Sequence, residues 1–446
     1  MRPLPVCVSF LVICLKSAAA ESPTTNAPPV IVTPVYINQL SDELLRTHPA
    51  LGAARARVAA AEAATEAVRA WDDPMIRLGG MFAEKEMRAE DGDLLYGIEQ
   101  KLPLFGKPRS ERRVMEAEAI KELAVSNFEF QQLRRDLAQA LFAAALADRT
   151  VEVGAEDLAW LDLMVASLDA RYRAGEVSQV WLLRLQNDRA KRAEQLTTDR
   201  RQHEHARFAL NRLLNRDPGS PWPRLELPPL AKPVVYSERL VQLSRRGEPR
   251  LKVFDRELAQ RAAAIEAARR RRWPDVVIGA AGRNFSGNGD WRQAEVMLGF
   301  NLPLGNRAKY RAEVRREQAK QQSVELQRAD YDLGLSEEVH MLTVKIDAAR
   351  REALLYRDEI IPRSAQALAA AQSDWEASRG SFREVLDAHR MLLDARLMLA
   401  RAITEQWRML SDLTLCCGLG DLEALLMLKS NGIAAPKPAS TSTPPK

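Results

Sequence analysis

Aromatic side chains make up only 6% of the 446 residues, and glycine is held to 21. So small a share argues against an ordinary mixed enzyme domain, whose strands draw on aromatic residues and whose turns draw on glycine. Cysteine is scarcer still: of four, only Cys416 and Cys417 lie beyond residue 14. An adjacent pair cannot join distant elements, so the fold does not rest on disulfides. After the N-terminal segment no apolar stretch reaches the roughly 18 residues that suggest a membrane-spanning helix. Neither sign of charge dominates: 65 basic and 60 acidic residues are interleaved, and losing Arg2 and Lys16 with a leader would lower the formal charge from +5 to +3. That is no nucleic-acid footprint. With 46% hydrophobic residues, wholesale disorder is excluded as well.

What is present begins with a targeting pattern. Arg2, the apolar run from Val6 to Leu15, and Ala18-Ala19-Ala20 before Glu21 have the order of a cleaved secretory signal. Residues 1–20 are read as that signal and 21–38 as an N-terminal linker. Cys14 follows Ile13, where a lipid-anchored signal needs a small residue. An exported chain without an apolar helix is either soluble or inserted through β-strands, whose signal per segment is weak.

The chain is duplicated. A shift of 200 positions superposes Leu40 on Leu240, Arg46 on Arg246, Pro49 on Pro249, Leu51 on Leu251, Glu66 on Glu266, Pro74 on Pro274, Gly79 on Gly279, and Leu102-Pro103-Leu104 on Leu302-Pro303-Leu304. Composition alone does not produce three coincident prolines in an ungapped register. The repeats are set at 39–215 and 237–424, joined by a Pro-rich connector at 216–236 and followed by a tail at 425–446. Connector and tail are expected to be irregular.

Each repeat reads in the same order. A first helix spans about Leu40 to Ala70, or Ser237 to Arg271, and stops before Pro74 or Pro274. Two short strands follow, at about 75–83 and 93–102 and again at about 275–284 and 292–302. The clearest alternation puts Ala294, Val296, Leu298, Phe300 and Leu302 on one face and Glu295, Met297, Gly299 and Asn301 on the other. A very long helix comes next, from Pro108 to Thr150 with Leu123, Phe130, Leu137 and Ala144 at heptad spacing. It would reach roughly 65 Å, and its counterpart from Arg307 to Glu359 roughly 80 Å. Return helices are expected at about Ser178 to Leu214 and Phe382 to Leu415. Four strands per chain cannot close a sheet, and an isolated hairpin is marginal in water.

An exported, duplicated chain with strand hairpins among long helices resembles the TolC-type outer-membrane efflux channel family. Asp73-Pro74-Met75-Ile76-Arg77-Leu78-Gly79 is similar to that family's entry into the first strand. Gly97 through Lys107, with Leu102-Pro103-Leu104-Phe105-Gly106 at its centre, is similar to the exit of the second, in the form of the heavy-metal branch. Tyr172-Arg173-Ala174-Gly175 with Leu182-Leu183, and Glu384 through Ala388, look like the two turns at the periplasmic tip. The second tip departs from the pattern: Trp375 stands opposite Tyr172 and Ser378 opposite Gly175, with the turn glycine moved to Gly380.

The resemblance implies a mainly α protein with a small β part, whose homotrimer forms a 12-stranded barrel continuous with a periplasmic helical barrel. It implies an exit duct of a tripartite efflux system in the outer membrane, with a periplasmic adaptor and an inner-membrane transporter of the resistance-nodulation-division type as partners. Heavy-metal cations are the expected cargo. Drug efflux or type I protein secretion through the same duct is the alternative, and a soluble periplasmic coiled-coil scaffold is the rival from another class. Val296, Leu298 and Phe300 would face lipid. Glu384 and Asp387 would ring the tip constriction, with Arg184 a candidate partner for Asp387. Tyr172, Gly175, Ser378 and Gly380 would meet the adaptor or simply turn the chain.

Other features carry less chemistry. Trp71, Trp291 and Tyr96 fit either an interfacial aromatic belt or a packed core. His203 and His205 are two apart on a helix and point to different faces, which favours a surface pair over a metal site, and Cys416-Cys417 reads as packed helix-end cysteine. Neither a phosphate loop nor a catalytic triad stands in the sequence, so no enzyme activity, cofactor, metal site or nucleic-acid partner is expected.

Overall fold

The computed structural model describes residues 28–68, 71–80, 93–285, 289–301, 305–377, 379–419 and 422–427. Residues 1–20 read as a signal, Leu302, Ser378, residues 81–83 of the first expected strand and the tail beyond 427 lie outside them. In chain order the elements are β1 (Val30–Ile31), α1 (Pro34–Thr47), α2 (Pro49–Ala67), β2 (Met75–Gly80), β3 (Asp93–Leu102), α3 (Lys107–Arg173), α4 (Gln179–Leu213), β4 (Leu225–Glu226), α5 (Glu238–Gly247), α6 (Pro249–Arg270), β5 (Asp275–Phe285), β6 (Trp291–Asn301), α7 (Arg307–Leu355), α8 (Ile361–Glu376), α9 (Phe382–Cys416) and α10 (Leu422–Met427). The protein is mainly helical with a small β part.

Where the sequence suggests one opening helix per repeat, the structure has two. Proline forces its predecessor out of the helical region, and His48 (φ −71°, ψ 125°) and Glu248 (φ −50°, ψ 118°) are extended ahead of Pro49 and Pro249. Each displaced residue then caps the next helix, His48 Nδ1 accepting from the Ala50 N–H at 3.2 Å and Glu248 Oε1 from the Arg250 N–H at 3.3 Å.

The long helices overrun their expected ends. α3 continues past Thr150 for 67 residues in all, about 100 Å at 1.5 Å per residue. Its only proline is Pro108, in the first turn, where the missing N–H costs nothing. The rod that α7 begins does not stop before Pro362 either. A single π turn at Tyr356–Ile360 carries the rod into α8, and such a wide turn accommodates a residue that cannot complete the normal hydrogen-bond ladder.

The linker and connector are not irregular throughout. Val30 and Ile31 pair in parallel with Leu225 and Glu226, and Asn211 holds the bend between α4 and β4. It accepts from Trp222 Nε1 at 2.6 Å and donates to the carbonyls of Pro218 and Ser220. Trp222, Phe142, Trp407, Leu141 and Leu210 lie in the main core, which gathers α1, α3, α4, α7 and α9 around these segments. At its edge sits Asp148 of α3. It accepts from His203 Nε2 at 2.5 Å, Arg207 at 3.0 Å and the Leu225 N–H at 2.8 Å. His203 is therefore half of a structural pair rather than a surface residue, while His205 stays exposed. Burial would raise the Asp148 carboxyl, but these donors outweigh it and hold it below the usual range.

Glu248 is buried beside Tyr331, whose hydroxyl donates to Oε1 at 2.8 Å, and Oε2 has no partner. Burial pushes this carboxyl from 4.5 up to about 7. Between those values the native state holds a proton that the unfolded chain has released, so stability falls as pH rises through the window. The expected loss is on the order of 3 kcal/mol. Melting midpoints taken near pH 4.5 and near pH 8 should show it in the parent, and Glu248→Gln should flatten the dependence. Cys416 and Cys417 lie nearby, both free and buried, at the end of α9. Burial raises both thiols, Cys417 to about 12.

Candidate functional site

The four longer strands form one sheet in the order β2-β3-β5-β6, antiparallel throughout. Directly paired residues share a face, so the register sorts the side chains. One face carries the rows Ile76, Ile98, Ala280, Val296; Leu78, Tyr96, Gly282, Ala294; Gln100, Ile278, Leu298; and Leu102, Val276, Phe300. The other carries Arg77, Gly97, Ala281, Glu295; Met75, Glu99, Gly279, Met297; and Lys101, Val277, Gly299. Arg77 pairs with Glu99 at 2.9 Å on this second face. Most of the apolar face is left bare by the chain: Val296 is 85% exposed, and Leu298 and Phe300 are more than half exposed, while Val276 is buried. Trp71, Trp291 and Tyr96 are likewise exposed rather than packed in a core.

Helices continue the sheet's order, with α2 packed on α3, α3 on α6 and α6 on α7. Among the described residues both outer edges of the sheet lack a strand partner, while the outermost helix α7 also packs on α9. β2 and β6 each pair on one side only, and α7 exposes Leu326, Leu333 and Val344 along its length.

At the far end of the rods the two turns are built differently. α3 ends in a Schellman motif, with the Glu176 N–H bonded to the Arg171 carbonyl and the Gly175 N–H to that of Tyr172, both at 3.0 Å. Gly175 has φ +76°, which favours glycine, and Tyr172 stands exposed beside it. The second turn folds back on one carbonyl, Asp374, which accepts from the Arg379 and Gly380 N–H groups at 2.8 and 2.9 Å. Gly380 is there for closeness and not for a left-handed backbone: a Cβ would lie 3.0 Å from that of Asp374. The altered second tip read from the sequence thus has a definite form, although Ser378 falls outside the described residues.

A small core holds the tip together, made of Leu161, Leu168, Leu182, Leu185 and Phe382. The Arg171 guanidinium lies 4.1 Å above the Trp375 ring and links the two turns. Glu384 and Asp387 are exposed on the first turns of α9. Glu384 has a local task that the sequence reading missed: with Ser381 it forms a capping box, readable as Ser381-Phe382-Arg383-Glu384. Asp387 faces Arg383 at 3.6 Å, and the Arg184 guanidinium lies 5.2 Å from the Trp181 ring. Within one chain, then, Arg184 and Asp387 take other neighbours.

One lock above the tip had no sequence signal. Asp157 of α3 meets Arg192 of α4 at 2.7 Å and His389 of α9 at 3.2 Å, and the His389 ring stacks on Trp160 with centroids 3.6 Å apart. These residues are up to 232 positions apart, so only packing brings them together. Among the described residues no group of His, Cys, Asp and Glu could hold a metal ion.

The chain matches the family model for outer membrane efflux proteins over residues 40–216 and 240–419. It is 24% identical over 292 residues to the cobalt-zinc-cadmium resistance protein CzcC of Cupriavidus metallidurans, covering 64% of this chain and 68% of that protein. Its fold is that of the outer-membrane channel OprN, with a TM-score of 0.75 and 20% identity over 86% of this chain and 90% of the other. The outer membrane protein VceC of Vibrio cholerae aligns with a TM-score of 0.72 and 18% identity, over 86% of this chain and 96% of the other. The chain therefore belongs to the outer membrane efflux protein family, a family of transport channels and not of enzymes.

Proposed function

We propose that three copies of this chain form the outer-membrane exit duct of a tripartite pump that expels heavy-metal cations. The carrying observation is the sheet: one face mostly apolar with Val296, Leu298 and Phe300 exposed, the other bearing the charged Arg77, Glu99, Lys101 and Glu295, and both edges without a strand partner among the described residues. An apolar face of this size in water is a liability, and unpaired strand edges invite further strands. Three such sheets joined edge to edge give twelve strands with no edge left, the arrangement that strands need to cross a membrane. The exposed seam of α7 then meets the next copy's α2, and the helices close into a tube. Val296, Leu298 and Phe300 face lipid, and Glu295 faces the water-filled interior.

The metal preference rests on the likeness to CzcC, and the chemistry of the tip agrees with it. Threefold repetition turns Glu384 and Asp387 into rings of carboxylate at the narrow end, which favour cations over anions. Arg184 and Asp387, which have other neighbours within one chain, would pair across a protomer boundary. Tyr172, Gly175, Ser378 and Gly380 present the turns to the adaptor, and a proton-driven inner-membrane transporter supplies the energy. The duct itself is passive, and its tip opens when a partner binds the open form better.

Glutamine at N3 keeps a capping box intact, so Glu384→Gln with Asp387→Asn removes charge without unwinding α9. In planar bilayers this double variant should conduct more or lose cation selectivity. Unchanged values would remove the gate assignment.

A further inference from the structure

Beneath the sheet, between the end of α6 and the start of α7, lies a solvent-open cavity of about 1100 Å³ lined by Arg269, Arg272, Arg307, Arg311 and Arg315. All five are exposed. Arg269 has Glu266 at 3.9 Å, but among the described residues no carboxylate forms an ion pair with Arg272, Arg307, Arg311 or Arg315. On α7 the arginines recur at every fourth position and so share a face. Guanidinium groups that share one space without a carboxylate repel each other, weakly through water and salt, and an anion among them relieves that repulsion.

The duplication supplies an internal control. At the matching positions of the first repeat stand Arg69, Asp72, Lys107, Glu111 and Met115. Their formal charges cancel, whereas the second repeat carries +5 at the same places. The repeat fold therefore does not require the cluster.

We infer that this cavity binds the phosphate of an anionic phospholipid headgroup on the periplasmic side of the outer membrane. This rests on the barrel reading proposed above. Arg272 stands three residues before β5 and α7 begins six residues after β6, so the cavity sits within a turn or so of the sheet's end. Trp273, 46% exposed at its rim, suits the interface between lipid and water. Arginine's planar fork matches phosphate oxygens in pairs, which lysine cannot do.

Native mass spectrometry of the delipidated full-length trimer, titrated with phosphatidylglycerol or phosphatidylcholine, tests the site. The parent should retain phosphatidylglycerol preferentially. Combining Arg272→Gln, Arg311→Gln and Arg315→Gln should weaken that binding by about 100-fold at low ionic strength, whereas Arg200→Gln with Arg201→Gln on α4 should not. Equal binding by parent and triple variant would overturn the inference. Inorganic phosphate binding as tightly as the lipid would reassign the site to a free anion. A trimer recovered from the outer membrane without lipid preference sinks this inference alone, while a water-soluble monomer sinks the channel reading with it.

Discussion

Val296→Arg will leave little or no trimer in the outer membrane. Val296 is the middle residue of β6, on the apolar row that runs through Ala280, Ile98 and Ile76. An arginine facing lipid near the bilayer midplane costs about 2–4 kcal/mol, and threefold symmetry repeats that cost to roughly 6–12 kcal/mol per assembly. That is comparable to the whole stability of a typical domain. The neighbouring substitution Glu295→Arg, on the opposite face, should assemble normally. Quantifying heat-dissociable trimer in outer-membrane fractions of both variants reads the result. Normal yield for Val296→Arg with loss for Glu295→Arg would reverse the two faces.

Asp148→Ala should destabilise the fold by about 3–5 kcal/mol, the usual cost of removing one partner from a buried charged network. The loss leaves Arg207, His203 and the Leu225 N–H without their shared acceptor, at the point where α3, α4 and β4 meet. Denaturant unfolding followed by helical circular dichroism measures it. Because the folded carboxyl lies below its ordinary 3.8, its contribution is present above that value and is lost as pH falls through the depressed one. Parent and variant should therefore converge only in strong acid. Equal stability at neutral pH would show that the network is replaced by water.

The long rods, the duplication and the strand alternation were legible in the sequence because each is a local or periodic property. Alternation between Ala294 and Phe300 needs no partner to be recognised, and Pro49 and Pro249 announced themselves by coincidence of position. Their consequence was misjudged: each breaks the opening helix in two, because a proline acts on the backbone of the residue before it. The same local reading ended α7 at Glu359, since no sequence rule says when a single π turn will carry a helix past a proline. Glu384 was found as an acidic tip residue, yet its capping role with Ser381 was overlooked although the motif is local.

Composition and period alone settled that this chain is helical, repeated and supplied with an amphipathic pair of hairpins, since those follow from the order of side chains along a backbone of fixed geometry. Tertiary structure alone decided that Asp148 would gather three donors, that Asp157, Trp160, Arg192 and His389 would meet, and that four strands would share one sheet whose edges have no strand partner among the described residues. Those outcomes depend on contacts between residues dozens to hundreds of positions apart. Such contacts form only once the hydrophobic seams of separate helices have been buried together, and nothing in the local sequence records which seams those will be.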